Sequence, residues 1–176
     1  MVNYFELYGL PESFAPDAAA VKSKFYELSR KYHPDRFAQA GGGEQAEALR
    51  MAALNNGAYK TLNNRDALMA YILKQHELLE DEEKYNLPSS FLMEMMDLNE
   101  VVSDWEAEPG SNILKQQAEQ TLADSLQQWE NDVRPLTQKF NNGEGDKDLL
   151  LRIKDYYFRK KYLLRIQERI NTFASR

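Results

Sequence analysis

Apolar residues recur at helical intervals along almost the whole chain, and no stretch alternates with the two-residue period of a strand. Val21, Phe25, Leu28 and Tyr32, spaced four, three and four apart, mark one face of a helix. It starts after Pro16-Asp17, with Asp17 as N-cap, and ends near Tyr32. Pro34 disfavours helical geometry at His33 and has no amide to donate, so His33-Pro34-Asp35 falls on a corner just beyond the helix. A shorter helix over Asn3 to Leu7, closed by Gly9 and Pro11, precedes it. Ala40-Gly41-Gly42-Gly43 reads as a flexible loop. A third helix follows from about Glu44 to Leu62, with Ala48, Ala52, Asn55, Tyr59 and Leu62 on or near one face. Gly57 inside it signals close packing or local flexibility. A fourth helix, Asp66 to His76, carries Leu68, Ile72 and Leu73.

Beyond residue 76 the pattern breaks. The acidic run Glu80-Asp81-Glu82-Glu83 and Pro88 mark residues 77–88 as a linker, after which Ser89 or Ser90 is expected to cap the next helix. Three helices are predicted at about 90–105, 112–140 and 146–173. Pro109-Gly110 separates the first two, Asn141 to Gly145 the last two, and Pro135 is expected to kink the long middle helix. Trp105 and Trp129 read as packing anchors. The expected architecture is all-α, with an N-terminal helical hairpin module over 1–76 and a three-helix bundle over 89–176.

Composition narrows the chemistry. In 176 residues, 43% hydrophobic and 28% charged, there is enough apolar surface for a real core. No apolar run spans a membrane, and the start Met1-Val2-Asn3-Tyr4-Phe5 has neither a basic region nor an apolar signal core, so a cytoplasmic location is expected. Cysteine is absent, which removes disulfides, thiol nucleophiles and cysteine-based metal ligation. Only His33 and His76 remain as imidazoles, so no metal site and no cofactor is expected, and His76 reads as a helix-end or surface residue. The abundant carboxylates form no pair that the sequence places in a pocket, and no catalytic residue is expected. A net charge of −6 argues against a nucleic-acid partner. Charge is uneven, however: Lys22, Lys24, Arg30, Lys31 and Arg36 surround the His33-Pro34-Asp35 corner.

Three segments together resemble J-domain co-chaperones: Tyr4-Phe5-Glu6-Leu7-Tyr8-Gly9-Leu10, the basic helix ending in Tyr32-His33-Pro34-Asp35-Arg36-Phe37, and Asn56-Gly57-Ala58-Tyr59-Lys60-Thr61-Leu62. Phe91-Leu92-Met93-Glu94-Met95-Met96-Asp97-Leu98 is similar to the recognition helix of the HscB family, which serves iron–sulfur cluster assembly. The Gly/Phe-rich and cysteine-rich regions of general J-proteins are missing. Two departures stand out. Arg36 replaces the Lys common after His-Pro-Asp, and Asn63 to Met69 lacks the usual Pro and Arg-Ala pair.

The resemblance implies that residues 1–76 are a J-domain that stimulates a DnaK/HscA-type ATPase chaperone through His33, Pro34, Asp35 and Arg36, with Lys22, Lys24, Arg30 and Lys31 docking on an acidic patch. On the residues alone, that tripeptide is also an ordinary helix terminator and the cations an ordinary solvated face. The resemblance further implies that Leu92, Met93, Met96, Asp97 and Glu100 bind the iron–sulfur cluster scaffold protein, with Tyr157, and less directly Phe158, adding an aromatic. Periodicity alone favours packing those methionines in the bundle core beside Phe91, Met95, Leu98 and Val102. A J-protein for another client and a plain helical adaptor remain the competing functions. Arg159-Lys160-Lys161 reads as a solvated helix face.

Overall fold

The computed structural model describes residues 2–175, which form seven α-helices in two compact units divided between His76 and Glu77. No helix among the described residues is long and apolar enough to cross a membrane.

The first unit is built from α1 (Tyr4–Tyr8), α2 (Ala18–Lys31), α3 (Gly42–Leu62) and α4 (Arg65–Gln75). Asn3 caps α1 by accepting from the Phe5 amide at 2.8 Å, and Gly9 closes it in the left-handed region at φ 63°. Asp17 caps α2 as expected, accepting from the Ala19 and Ala20 amides at 2.8 and 3.1 Å. α2 and α3 form an antiparallel hairpin. Phe25 stacks on Tyr59 with centroids 4.1 Å apart, and Ala48 and Leu49 flank Pro34 and Phe37 at the tip. Tyr4 stacks on Tyr71 at 4.7 Å and donates its amide to the Tyr71 hydroxyl at 2.8 Å, which docks α1 on α4. Its own hydroxyl lies against Gly57, where an added Cβ would sit 3.0 Å away, so this glycine marks close packing.

One buried polar residue links three helices. Asn55 Oδ1 accepts from the Tyr8 hydroxyl at 2.8 Å, while its amide nitrogen donates to the Phe25 carbonyl and to Ser29 Oγ, each at 3.0 Å. Every polar atom of the Asn55 side chain is thus satisfied in a site only 1% exposed. Burial pushes the Tyr8 phenol up to about 12.

The second unit is a bundle of α5 (Ser89–Ala107), α6 (Asn112–Lys139) and α7 (Lys147–Ala174). Phe91, Met95, Leu98, Val102 and Trp105 bury one face of α5. Trp129 from α6 is buried and donates its indole N–H to the Tyr156 carbonyl at 2.7 Å. Arg169 reaches from α7 to α5, pairing with Glu106 and donating to Asn99 Oδ1 at 3.2 Å and to Ser103 Oγ at 3.1 Å.

Several expectations are corrected. Gly42 and Gly43 open α3 instead of lying in a loop: Gly41 is the N-cap, and its carbonyl accepts from the Glu44 and Gln45 amides. Pro88, not Ser89 or Ser90, is the N-cap of α5, because its carbonyl takes the first helical bond from Leu92. The expected range of α6 holds, with Pro135 inside the helix and its end at Lys139, and a turn follows in which Gly143 takes φ 87°. Arg159 and Lys160 are half-buried: Arg159 pairs with Asp155 at 2.6 Å and lies over the Phe91 and Tyr156 rings, and Lys160 lies over Trp129. Residues 77–88 form no helix, yet Tyr85 stacks on Phe158 at 4.4 Å and donates to Asp155 at 3.0 Å, while Glu83 pairs with Lys154. Burial, then the bond to Asp155, pushes the Tyr85 phenol up to about 12.

The Lys154 hydrogen bond holds the Glu83 carboxyl below its ordinary 4.5 against the opposing effect of burial. A lowered folded value means this pair stabilises the fold fully above pH 4.5, and its contribution is lost as pH falls through the lower folded value. Glu83→Gln is therefore expected to cost about 1 kcal/mol at pH 7 and progressively less below pH 4.5. Urea midpoints measured across that range check the sign.

Candidate functional site

Two surfaces hold the residues singled out in the sequence, one in each unit. In the first, α2 ends at Lys31, and Pro34–Phe37 form a 3₁₀ turn with His33 as N-cap in extended geometry, at ψ 132°. His33 Nδ1 accepts from the Asp35 amide at 3.3 Å, which fixes the ring against the turn. The Asp35 carboxylate is 89% exposed, and its nearest titratable neighbour among the described residues is the His33 ring, at 3.5 Å. Arg36 turns back and donates from Nη1 to the Arg30 carbonyl at 3.2 Å, satisfying an acceptor at the end of α2. Gln45 of α3 donates to the Ala40 carbonyl at 3.0 Å and holds the far side of the loop. The corner is therefore exposed, with a solvent-facing carboxylate at its apex.

The cations divide into two stripes. Lys22 and Arg30 are exposed and lie eight residues apart on one stripe of α2, with Tyr26, 51% exposed, between them. Lys24 and Lys31 lie on the other flank. Lys24 is committed to Glu27 at 2.9 Å, and Lys31 lies 5.1 Å from the Tyr32 ring centroid. The structure thus puts Arg30 and Arg36 beside the corner and Lys22 about two turns further back on α2, none of the three in an ion pair among the described residues, while the Lys24 charge is already paired. Tyr26 was not singled out by sequence reasoning, although its position four residues from each of Lys22 and Arg30 was the available signal. Pro34 and Phe37 also border an apolar hollow of about 360 Å³ lined by Ala48 and Leu49.

In the second unit, Leu92 is 39% exposed, Met93 64% and Met96 68%, with Asp97 and Glu100 exposed beside them. These five residues share the solvent face of α5, opposite the buried stripe Phe91, Met95, Leu98 and Val102. The core packing that periodicity favoured for them is not what the fold adopts. Glu94, Asp97 and Glu100 are exposed beside these side chains and α5 carries no Lys or Arg, so on its own helix the apolar patch is rimmed by carboxylates. Tyr157 lies on α7, half-buried, its ring edge-on to Phe158 at 5.2 Å and 5.6 Å from Lys161. Phe158 is buried under Tyr85 and offers no ring to solvent, which corrects its candidacy.

Comparison with known proteins bears on both surfaces. Residues 87–171 match the family described as the HSCB C-terminal oligomerisation domain. The chain is 39% identical over 104 residues to a co-chaperone protein HscB homolog of Vibrio atlanticus, a match covering 58% of this chain and 61% of the relative. It is 36% identical over 106 residues to co-chaperone protein HscB of Proteus mirabilis, covering 60% and 61%. These matches thus span less than two thirds of the relatives' own length. Among solved structures, human co-chaperone protein HscB is similar over 98% of this chain and 82% of its own, with a TM-score of 0.77 and 25% identity. Chaperone HscB from Vibrio cholerae is similar over 97% of this chain and 96% of its own, with a TM-score of 0.72 and 25% identity.

Proposed function

We propose that this chain, which is similar to HscB proteins in sequence and in fold, is a two-headed co-chaperone: it stimulates ATP hydrolysis by a DnaK/HscA-type chaperone and delivers the iron–sulfur cluster scaffold protein to it. The observation that carries the reading is the exposed Asp35 carboxylate on a turn that follows the Lys22–Tyr26–Arg30 stripe of α2. A partner ATPase is driven forward only by a group that binds one of its states better than the other. Asp35 suits that task, since an exposed carboxylate can draw a cationic side chain out of an internal pairing on the chaperone. His33 shapes the turn through Nδ1, and Pro34 limits the entropy lost on docking. Exposed charge pairs contribute about 0.2–1 kcal/mol each, so the contact is weak, quick and sensitive to salt.

On α5, the apolar face of Leu92, Met93 and Met96 with Asp97 and Glu100 suits a scaffold surface that offers an apolar pocket rimmed by basic groups. Holding both partners on one chain raises their local concentration for each other. The chain itself performs no covalent chemistry in this reading.

A steady-state ATPase assay of the chaperone, with and without this protein and the scaffold, tests the proposal. Stimulation by the protein, and more with scaffold present, is expected. Leu92→Ala, Met93→Ala and Met96→Ala combined should weaken scaffold binding by at least about 2 kcal/mol. The helical content and thermal midpoint should stay near those of the parent, because all three side chains are exposed. Unfolding of that triple variant, or unchanged scaffold affinity, would sink the α5 assignment.

A further inference from the structure

The methionines are sorted by burial. Met69 and Met95 are buried in the cores of the first and second units. Met51 is half-buried, and its sulfur accepts from Arg50 Nη2 at 3.6 Å. Met93 and Met96 alone among the described methionines are exposed, and they stand three residues apart on one helix face. Their surroundings are acidic: Asp97 and Glu100 lie beside them, and α5 holds no cation.

From this arrangement we infer that Met93 and Met96 form a peroxide-sensitive modification site that switches off docking on the α5 face. The inference rests on the reading of that face as the scaffold surface. The chemistry needs only a hydroperoxide. The thioether sulfur attacks the outer peroxide oxygen, a sulfur–oxygen bond forms and the oxygen–oxygen bond breaks. The departing oxygen takes the proton and leaves as water or an alcohol. Sulfur loses two electrons and the peroxide gains them. Exposure makes Met93 and Met96 the first to react, while burial shields Met69 and Met95 and the Arg50 hydrogen bond occupies a lone pair on Met51.

The physical consequence is confined to the face. A thioether is apolar and adaptable, and it loses little on leaving water. A sulfoxide carries a strong dipole whose oxygen only accepts hydrogen bonds. Asp97 and Glu100 beside it also only accept, so the chain offers that oxygen no donor from those two when water is expelled. Neither sulfur is part of the core, so the helix keeps its packing through Phe91, Met95, Leu98 and Val102. Methionine sulfoxide reductases restore the thioether with electrons from a dithiol, which makes the change reversible.

The test uses the full chain exposed to dilute hydrogen peroxide, quenched in time steps, mapped by peptide mass and then titrated with the iron–sulfur scaffold protein. One oxygen each on Met93 and Met96 is expected before any on Met69 or Met95. At that stage the circular dichroism should be unchanged and the Kd for scaffold at least tenfold higher. The two epimer-specific methionine sulfoxide reductases together, with dithiothreitol, should restore affinity. For the Met93→Leu, Met96→Leu double variant, whatever its own starting affinity, the ratio of Kd after to before peroxide should be one. Oxygen entering the buried methionines first, loss of helix with oxidation, or both sulfoxides present with an unchanged Kd overturns the switch and leaves the docking surface standing. Untreated protein that binds no scaffold overturns both.

Discussion

Replacing Asp35 by Asn should return the chaperone's steady-state hydrolysis rate to its unstimulated value, even at saturating co-chaperone. The change removes one negative charge and keeps the shape of the side chain. Asp35 is 89% exposed, its backbone amide donates to His33 Nδ1 at 3.3 Å, and a carboxamide in place of the carboxylate can still sit beside the same ring, so the turn should survive. Stability is expected to move by less than about 0.5 kcal/mol, as for surface positions generally. Scaffold affinity, carried by α5, should not change. The decisive comparison is rate of hydrolysis against concentration for parent and variant. A variant that stimulates as well as the parent removes the carboxylate from the mechanism, whatever else the corner does.

The second large effect is structural. Asn55→Ala should destabilise the first unit by about 3 kcal/mol, because it removes three side-chain bonds at about 1 kcal/mol each: the acceptor for the Tyr8 hydroxyl, which keeps only the Asn55 backbone carbonyl at 3.1 Å, and the donor shared by the Phe25 carbonyl and Ser29 Oγ. A well-packed apolar replacement does not rescue it, since it restores none of those three side-chain bonds. The readout is amide exchange in α2 and α3, where protection should fall by about two orders of magnitude. Protection in α5–α7 should hold. Because Asn55 grips α2 at Phe25 and Ser29, the variant should also stimulate the chaperone less, in proportion to the fraction of hairpin that remains folded.

Much of this molecule could be read from its spacing. The periodic stripes of α2 and α5 predicted which side chains go inward, and Val21, Leu28, Phe91, Met95, Leu98 and Val102 are all buried. The Asp17 cap was legible because an acid after a proline has one good local use. What spacing could not supply is the identity of the neighbour. α5 is apolar enough on two sides that either arc fits a core, and only the positions of α6 and α7 leave Leu92, Met93 and Met96 outside. Phe158 looked available because Tyr85, its lid, is 73 residues away in sequence. Gly42 and Gly43 were read by intrinsic propensity, which is overridden here by the Gly41 cap and by Gln45 reaching back across the loop. At the corner, the motif located the acid, but the division of the cations between a paired flank and a free one depends on Glu27, a residue with no distinguishing feature in the sequence.

None of Pro34, Asp35, Arg36 and Phe37 is buried, so the 3₁₀ turn owes its form to a few solvent-facing bonds from Arg36 and Gln45. Opening it forfeits only the partly buried contact of Pro34 and Phe37 with Ala48 and Leu49. The tip can accordingly breathe while the hairpin stays zipped, and a visiting ATPase meets a pliable fingertip on a stiff hand.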